Sequence, residues 1–179
     1  MKKISLVMVA VLAMAAMTVQ SASKPTGNIK VPAGLMLELK IDGRPVLVPS
    51  GRECPMSAGT YTPASLTAQA AGSGGKGKPE VWSIKCTGPF GKLQSVEIVD
   101  GATSMIDAGP PLTLKALVYK AVNTAKGKEI PIGVQIIGKA GEQYAANTMR
   151  KGMTVAPKPQ FQILDDKGNV LSQGAFEYG

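Results

Sequence analysis

Apolar residues recur at every second position in many short stretches of this chain, and glycine, proline, asparagine or aspartate separates the stretches. A period of two is typical of β-strands with one buried face, whereas an amphipathic helix repeats every 3.6 residues. Leu35, Leu37 and Leu39 show this alternation, and the Asp42-Gly43 dipeptide that follows is typical of a two-residue hairpin turn. The sequence therefore predicts an all-β protein.

Strand-like segments continue along the chain to its end. They are Leu66–Ala70, Trp82–Cys86, Val96–Ile98, Leu112–Val122, Ile130–Ile136 and a terminal hairpin of Phe161–Leu164 and Val170–Tyr178. Leu112–Val122 has a competing helical pattern, but its threonine, valine and tyrosine content favours a strand. Pro131 has no amide hydrogen, so we expect it at a strand start or a sheet edge. About nine such strands predict a β-sandwich with an immunoglobulin-like or Greek-key layout, with a barrel as the alternative.

The N-terminus has the organisation of an export signal. Lys2 and Lys3 precede an apolar run from Ile4 to Met17, and small or polar residues follow as far as Ser23. This order is typical of a secretory signal peptide, which we predict to be cleaved after Ser23. The run is shorter than the roughly 20 residues of a spanning helix, so we expect no stable membrane anchor after cleavage. The predicted location is the periplasm, the cell envelope or the extracellular space.

The mature chain, residues 24–179, has the length of one domain or two small ones. A second series of strands begins near Asp100-Gly101. We therefore divide it into an N-terminal β region, 24–100, and a C-terminal immunoglobulin-like β region, 101–179, with a single domain as the alternative. Loss of Lys2 and Lys3 lowers the formal charge from +8 to +6. The lysines are scattered and few aromatics accompany them, so we expect no nucleic-acid partner, and an envelope polymer or another protein stays open.

Cys54 and Cys86 are the two cysteines of the chain. In an oxidising compartment such a pair predicts one disulfide bridge, which would stabilise the fold by about 3–4 kcal/mol in the chain-entropy model. A redox pair is less favoured because the chain has no Cys-x-x-Cys spacing. Trp82 stands four residues before Cys86, so we expect its ring to pack against the bridge, with sugar stacking as the alternative.

The segment from Gly72 to Lys78 has the glycine and lysine spacing of a phosphate-binding P-loop. Pro79 stands where the motif needs serine or threonine, and the residues after it have the pattern of a strand where the motif needs a helix. Without a helix N-terminus no dipole is available to hold a phosphate group. We expect no phosphate-binding site, and we interpret the segment as a surface loop.

The chain contains no histidine. This excludes Ser-His-Asp and Cys-His catalysis and the usual zinc sites. Ser83 and Lys85 share one face of a predicted strand and are the remaining candidates for a Ser-Lys nucleophile, although such residues are ordinary on an outward strand face. A glycosidase with two facing carboxylates also stays open. We expect no catalytic residue and no cofactor.

Asp165, Asp166 and Asn169 lie where the terminal hairpin should turn. Turn chemistry explains them, because aspartate and asparagine bond to their own backbone. A calcium site is the alternative, although the spacing lacks the ligand set of a calcium loop. Met149 and Met153 offer soft thioether ligands for copper(I), but basic residues separate them, so packing is the better interpretation.

The last residues are Ala175-Phe176-Glu177-Tyr178-Gly179, with a penultimate tyrosine. This end resembles the terminal strand of chaperone-assembled pilins, and Val134–Ile137 followed by Gly141 is similar to another strand and turn of those subunits. The resemblance implies assembly by donor-strand exchange, for which Asn28–Val31 is a short N-terminal arm.

Three functions therefore stay open at the level of the sequence. The leading one is an exported, non-catalytic β-sandwich with a structural or binding role. The second is a pilin-like subunit, and the third is a secreted hydrolase that works without histidine.

Overall fold

A computed structural model describes residues 24–72, 80–125 and 127–176. The predicted signal peptide with its cleavage after Ser23, most of the P-loop-like segment and Tyr178 lie outside the described residues. No helix in the described ranges is long and apolar enough to cross a membrane.

Strands make up most of the described chain. The first eight are β1 (Thr26–Lys30), β2 (Leu35–Ile41), β3 (Arg44–Val48), β4 (Glu53–Ser57), β5 (Gly59–Ala71), β6 (Val81–Cys86), β7 (Val96–Ile98) and β8 (Thr103–Met105). The others are β9 (Thr113–Val118), β10 (Val122–Thr124), β11 (Gly127–Glu129), β12 (Ile132–Ile137), β13 (Gln143–Tyr144), β14 (Arg150–Lys151), β15 (Thr154–Val155), β16 (Gln160–Leu164) and β17 (Val170–Ala175). A single 3-10 turn, Ala146–Thr148, precedes β14. The prediction of an all-β protein is confirmed.

Two sheets build the N-terminal half. One has the order β4-β1-β8, and the other has the order β15-β14-β6-β5-β2-β3, with β7 paired to the start of β5. Their inward side chains form a common core that includes Ile29, Leu37, Leu66 and Cys86. Several sheets around a shared apolar core are consistent with a β-sandwich.

The longest strand, β5, pairs with three other strands, β2, β6 and β7. Its first residues pair with β7, and the rest lies between β2 and β6. A bulge opposite Glu38 and Leu39 leaves Ala64 without a partner, so Pro63 and Leu66 both point into the core. The bulge therefore separates the part of β5 that pairs with β7 from the part that lies between β2 and β6.

The turn between β2 and β3 confirms the hairpin predicted from Asp42-Gly43. Both residues have positive φ, 50° and 76°, as a two-residue hairpin turn requires. The strand prediction for Trp82–Cys86 is also confirmed, because these residues lie in β6.

Separate small sheets build most of the C-terminal half. β9, β12 and β13 form one sheet in the order β13-β12-β9, β10 pairs with β11, and β16 pairs with β17. The Tyr119 amide donates to the Pro131 carbonyl oxygen at 3.0 Å, so β9–β10 and β11–β12 form one long arm. Pro131 stands just before β12, which confirms the predicted strand start.

The boundary predicted near Asp100 stays a prediction, and pairing between strands crosses it. β8 pairs with β1, and β14 pairs with β6. The C-terminal half therefore contributes strands to both sheets of the N-terminal sandwich.

Candidate interaction surface

Strand β9 is the edge of its sheet and has no partner on its outer side within the described ranges. Leu114 and Val118 are each 70% exposed, which is unusual for apolar side chains in a sheet. The alternating sequence correctly predicted this strand, but an alternating strand normally buries its apolar side. β9 therefore presents an apolar side that the described part of the chain does not cover.

The exposed side chains of β9 continue onto β12. In the antiparallel pairing, Leu114 lies opposite Ile136, Ala116 opposite Val134, and Val118 opposite Ile132. Directly opposite residues point to the same side of a sheet. We call this set the apolar face: Leu114, Ala116 and Val118 of β9 with Ile132, Val134 and Ile136 of β12. Ile136 is buried in the core, so exposure of the face rises towards β9.

The hairpin of β16 and β17 lies beside the β12 part of the apolar face. Ile132 and Val134 line an open cleft together with Phe161 and Phe176 of this hairpin. The two phenylalanine rings contact each other, with centroids 5.1 Å apart. The hairpin therefore borders the apolar face at β12, while the side chains of β9 stay in solvent.

The opposite side of the β9–β12 pair is filled locally. Gly133 lies opposite Leu117, and a Cβ atom at position 133 would stand only 3.2 Å from the Tyr119 ring. A glycine in a strand is often stabilised by an aromatic neighbour of this kind. The open surface of the pair is therefore the apolar face.

Glu142 anchors the base of the arm. Its side chain is fully buried, and its Oε1 accepts the Gly109 amide hydrogen at 2.5 Å. Oε2 accepts the Ala140 amide hydrogen at 2.8 Å, and the Tyr144 hydroxyl donates to Oε1 at 3.1 Å. Gly109 precedes β9 and Ala140 follows β12, so one carboxyl group joins the two chain segments that meet at the same end of this antiparallel pair. Sequence reasoning missed this residue, since an isolated glutamate gives no sign of its burial.

The surroundings of Glu142 also affect the neighbouring tyrosine. Burial raises the pKa of Tyr144, and the nearby charge of Glu142 and its hydrogen bond raise it further. Tyr144 therefore keeps its proton and serves as a hydrogen-bond donor in the core.

Of the two residues considered for a Ser-Lys nucleophile, Ser83 lies in β6 and lines a small pocket beside Trp82, whereas Lys85 forms an ion pair with Glu38. Lys85 lies 3.5 Å from Glu38 Oε2, and the hydroxyl of Ser65 donates to the same oxygen at 2.5 Å. The Ser65 hydrogen bond lowers the pKa of Glu38, burial opposes this in part, and the charge and hydrogen bond of Lys85 lower the pKa further. Ser65 is only 3% exposed, so a substrate could not reach its hydroxyl. This cluster has a structural role on the sheet.

The expected bridge between Cys54 and Cys86 is not formed, and both residues are free thiols. Cys86 ends β6 in the core, where its thiol donates to the Pro89 carbonyl oxygen at 3.7 Å and accepts the Gly88 amide at 3.4 Å. Cys54 lies in β4, in the other sheet, and packs partly buried against the same apolar core. Burial raises the pKa of Cys86, which further reduces its reactivity.

Trp82 has a different environment from the one expected beside a disulfide. It lines a small apolar pocket of about 230 Å³ with Met149, and Lys151 Nζ lies 5.8 Å from the centre of its ring. Gly72 approaches the ring so closely that a side chain there would overlap it. The lining of the pocket is almost entirely apolar, which does not favour a sugar with its many hydroxyl groups.

The turn between β16 and β17 uses Asp165 as predicted from turn chemistry. Asp165 Oδ1 accepts the backbone amides of Lys167 at 2.9 Å and Asn169 at 2.7 Å. Oδ2 accepts the Asn169 side-chain amide at 2.8 Å, and these bonds lower the pKa of Asp165. The described residues contain no cluster of three or more acidic, cysteine or histidine side chains fit for a metal, and calcium at Asp165, Asp166 and Asn169 stays an untested alternative to turn chemistry.

Two further sequence candidates are separated by the fold. Met149 packs against the core, whereas Met153 is fully exposed in the turn between β14 and β15, so the two thioethers have different surroundings. Asn28–Val31, the possible donor arm, lies mostly in β1. β1 pairs with β4 on one side and β8 on the other, and Ile29 and Val31 are fully buried, so this segment is not free to join a neighbour.

No family model, curated protein or solved structure matches this chain.

Proposed function

We propose that the protein is exported and acts without catalysis, as a structural or binding protein of the cell envelope or periplasm that contacts a partner through the apolar face. The observation that carries this proposal is the pair of 70% exposed side chains, Leu114 and Val118, on β9, whose outer edge has no partner in the described ranges. Contiguous exposed apolar surface is typical of interaction sites. Covering these two side chains would contribute about 2–4 kcal/mol to binding by area burial.

Two features of the sequence support the remaining parts of the proposal. The order of Lys2, Lys3 and the apolar run to Met17 supports export, with cleavage after Ser23. The series of short strand-like segments after Asp100-Gly101 supports an immunoglobulin-like or Greek-key layout for this half.

The experiment extracts the native chain and its variants from the host cells and compares the sizes of their complexes under native conditions. The double variant Leu114→Lys with Val118→Lys should shift the protein from a larger complex to the size of the free chain, because two charges would be buried at the contact. Val99→Lys is the matched control, since Val99 is also a half-exposed apolar residue but lies outside the apolar face. A complex of unchanged size in the double variant would contradict the proposal.

A pilin-like subunit is the second candidate. The open cleft beside Ile132 and Val134, next to an unpaired strand, is the observation that favours it, since donor-strand assembly needs an incomplete sheet. The buried position of β1 requires a donor other than Asn28–Val31. A ladder of polymers that resists detergent until heated would support this candidate over a soluble binding protein.

A further inference from the structure

We propose that the partner at β9 is a second copy of this chain, which adds its own β9 antiparallel to the first, centred on Ala116. The inference rests on the proposed function and names the partner of the same surface. The pairing would join two sheets of order β13-β12-β9 into one continuous six-stranded sheet.

The composition of β9 differs from that of two other edge strands, β3 and β4. β3 carries Arg44 and Pro45, and β4 carries Glu53 and Pro55. Charge and proline at a sheet edge are devices that prevent pairing with another chain. β9 contains no proline, and Lys115 is its one charged residue.

The β16–β17 hairpin also has free edges, but it is less suited to extension. A bulge between Ile163 and Leu164 interrupts its ladder and leaves Leu171 without a partner. A bulge bends the strand and increases its twist, which opposes regular pairing at the edge. β9 pairs with β12 in an unbroken register over all six of its residues.

The charge on Lys115 selects the register of the self-pair. Centring on Ala116 places Leu114 opposite Val118 of the other copy, and Lys115 opposite Leu117. Centring on Lys115 would place two lysines directly opposite each other, which destabilises a sheet. Centring on Leu117 would place Leu114 opposite Lys120, a charge on the apolar face. The Ala116 register therefore gives an uninterrupted apolar row from both copies.

A two-fold axis normal to the sheet, midway between the two Ala116 residues, keeps both apolar faces on the same side. Leu114, Ala116 and Val118 of the two copies then form three directly opposed pairs on one side of the joined sheet. Ile132 and Val134 of each β12 flank these pairs. Such a self-complementary contact is the usual form of a homodimer interface.

Disulfide trapping of the purified mature chain tests the register. In a Cys54→Ala background, Ala116→Cys should form a dimer on mild oxidation, because opposite residues of antiparallel strands have Cα atoms at the separation of a disulfide. Thr113→Cys is the matched control and should react many-fold more slowly, since it keeps Lys115 and faces Tyr119 of the other copy and not itself. Equal rates for the two variants, or no trapped dimer from Ala116→Cys, would overturn the proposal.

Sedimentation velocity of the chain without the cysteine changes gives an independent test. The purified protein should show a concentration-dependent dimer that Leu114→Lys abolishes and that Leu171→Lys, at a similarly exposed residue of β17, leaves intact. A purified chain that stays monomeric at every concentration would overturn self-pairing. If the complex from cells is still lost in the Leu114→Lys and Val118→Lys variant, the proposed function stands with a different partner.

Discussion

At the scale of single residues, buried polar groups have defined hydrogen-bond partners, and these bonds connect segments that are far apart in the sequence. Glu142 accepts three hydrogen bonds at the base of the arm, and Ser65 holds Glu38 on the polar side of the sheet. No buried side-chain nitrogen or oxygen in the described ranges is left without a partner. Changes at these residues should therefore affect stability more than their small number suggests.

Replacement of Glu142 by glutamine should lower the free energy of unfolding by about 2–3 kcal/mol. The amide nitrogen of glutamine would face one of the N–H or O–H donors and leave it unsatisfied in the core. Chemical denaturation followed by tryptophan fluorescence measures the change. Glu129→Gln, at an exposed residue of β11, should change stability by less than about 0.5 kcal/mol. Equal effects of the two variants would show that Glu142 does not anchor the arm.

The two thiols should differ in reactivity. In the folded protein Cys54 should react with a thiol reagent, whereas Cys86 should react only after unfolding, because its sulfur is buried and its pKa is raised. Titration of the unfolded chain without reductant should find two thiols. A titration that finds none would mean that the bridge forms after all.

The low pKa of Glu38 predicts an effect of acid on stability. A depressed folded pKa adds stability above the ordinary carboxyl pKa of 4.5, and this contribution is lost as the pH falls through the folded value. Between about pH 5 and about pH 3, the range in which carboxyl groups titrate, the Glu38→Gln variant should therefore lose less stability than the native chain. Ser65→Ala removes the main cause of the shift and should also flatten the curve. Identical pH profiles would contradict this assignment.

At the scale of secondary-structure elements, loops carry the contacts that position β9 and β12. The Lys92 amide donates to the Ala140 carbonyl oxygen at 2.7 Å, and the Gln143 amide donates to Pro89 at 3.0 Å. Gly91 has a φ of +59° and lies directly against the backbone of Ala140 and Gly141. The loop after β6 and the loop after β12 therefore pack backbone to backbone, which a side chain would prevent.

Gly91→Ala should destabilise the protein by more than about 3 kcal/mol. Alanine there combines the cost of a left-handed conformation, about 1–2 kcal/mol, with a clash against backbone that cannot move freely. Gly101→Ala is the matched control, because Gly101 has a φ of +68° and open space around it. It should cost only the conformational part. Equal losses in thermal or chemical unfolding would show that the loop contact is not tight.

The sequence allowed the local elements to be predicted better than their surroundings. Asp42-Gly43 identified a hairpin because the turn chemistry is contained in two residues, and Pro131 identified a strand start for the same reason. The open apolar face was missed because alternation at Leu114 and Val118 predicts a buried side without showing whether another strand covers it. The role of Glu142 depends on Gly109, 33 residues away, and no local pattern reveals such a contact.

At the scale of the whole molecule, the described chain combines a well-packed N-terminal sandwich with an arm that is only partly covered. Leu35, Leu37 and Leu39 are fully buried, whereas Leu114 and Val118 lie in solvent. Apolar surface kept in solvent favours aggregation unless a partner covers it, so its presence on an edge strand is best explained by an interaction. The proposed function of the protein therefore depends on whether a partner covers the apolar face in the cell.

Site-specific photo-crosslinking in the native host tests this claim most directly. A photoreactive amino acid is placed at position 114 or 118, and at position 99 as the control on an apolar residue that is half exposed in the N-terminal half. We expect discrete crosslinked products at positions 114 and 118 and none at position 99. Equal crosslinking at all three positions, or none at 114 and 118 in cells that contain the folded protein, would contradict the claim that the apolar face is an interaction surface.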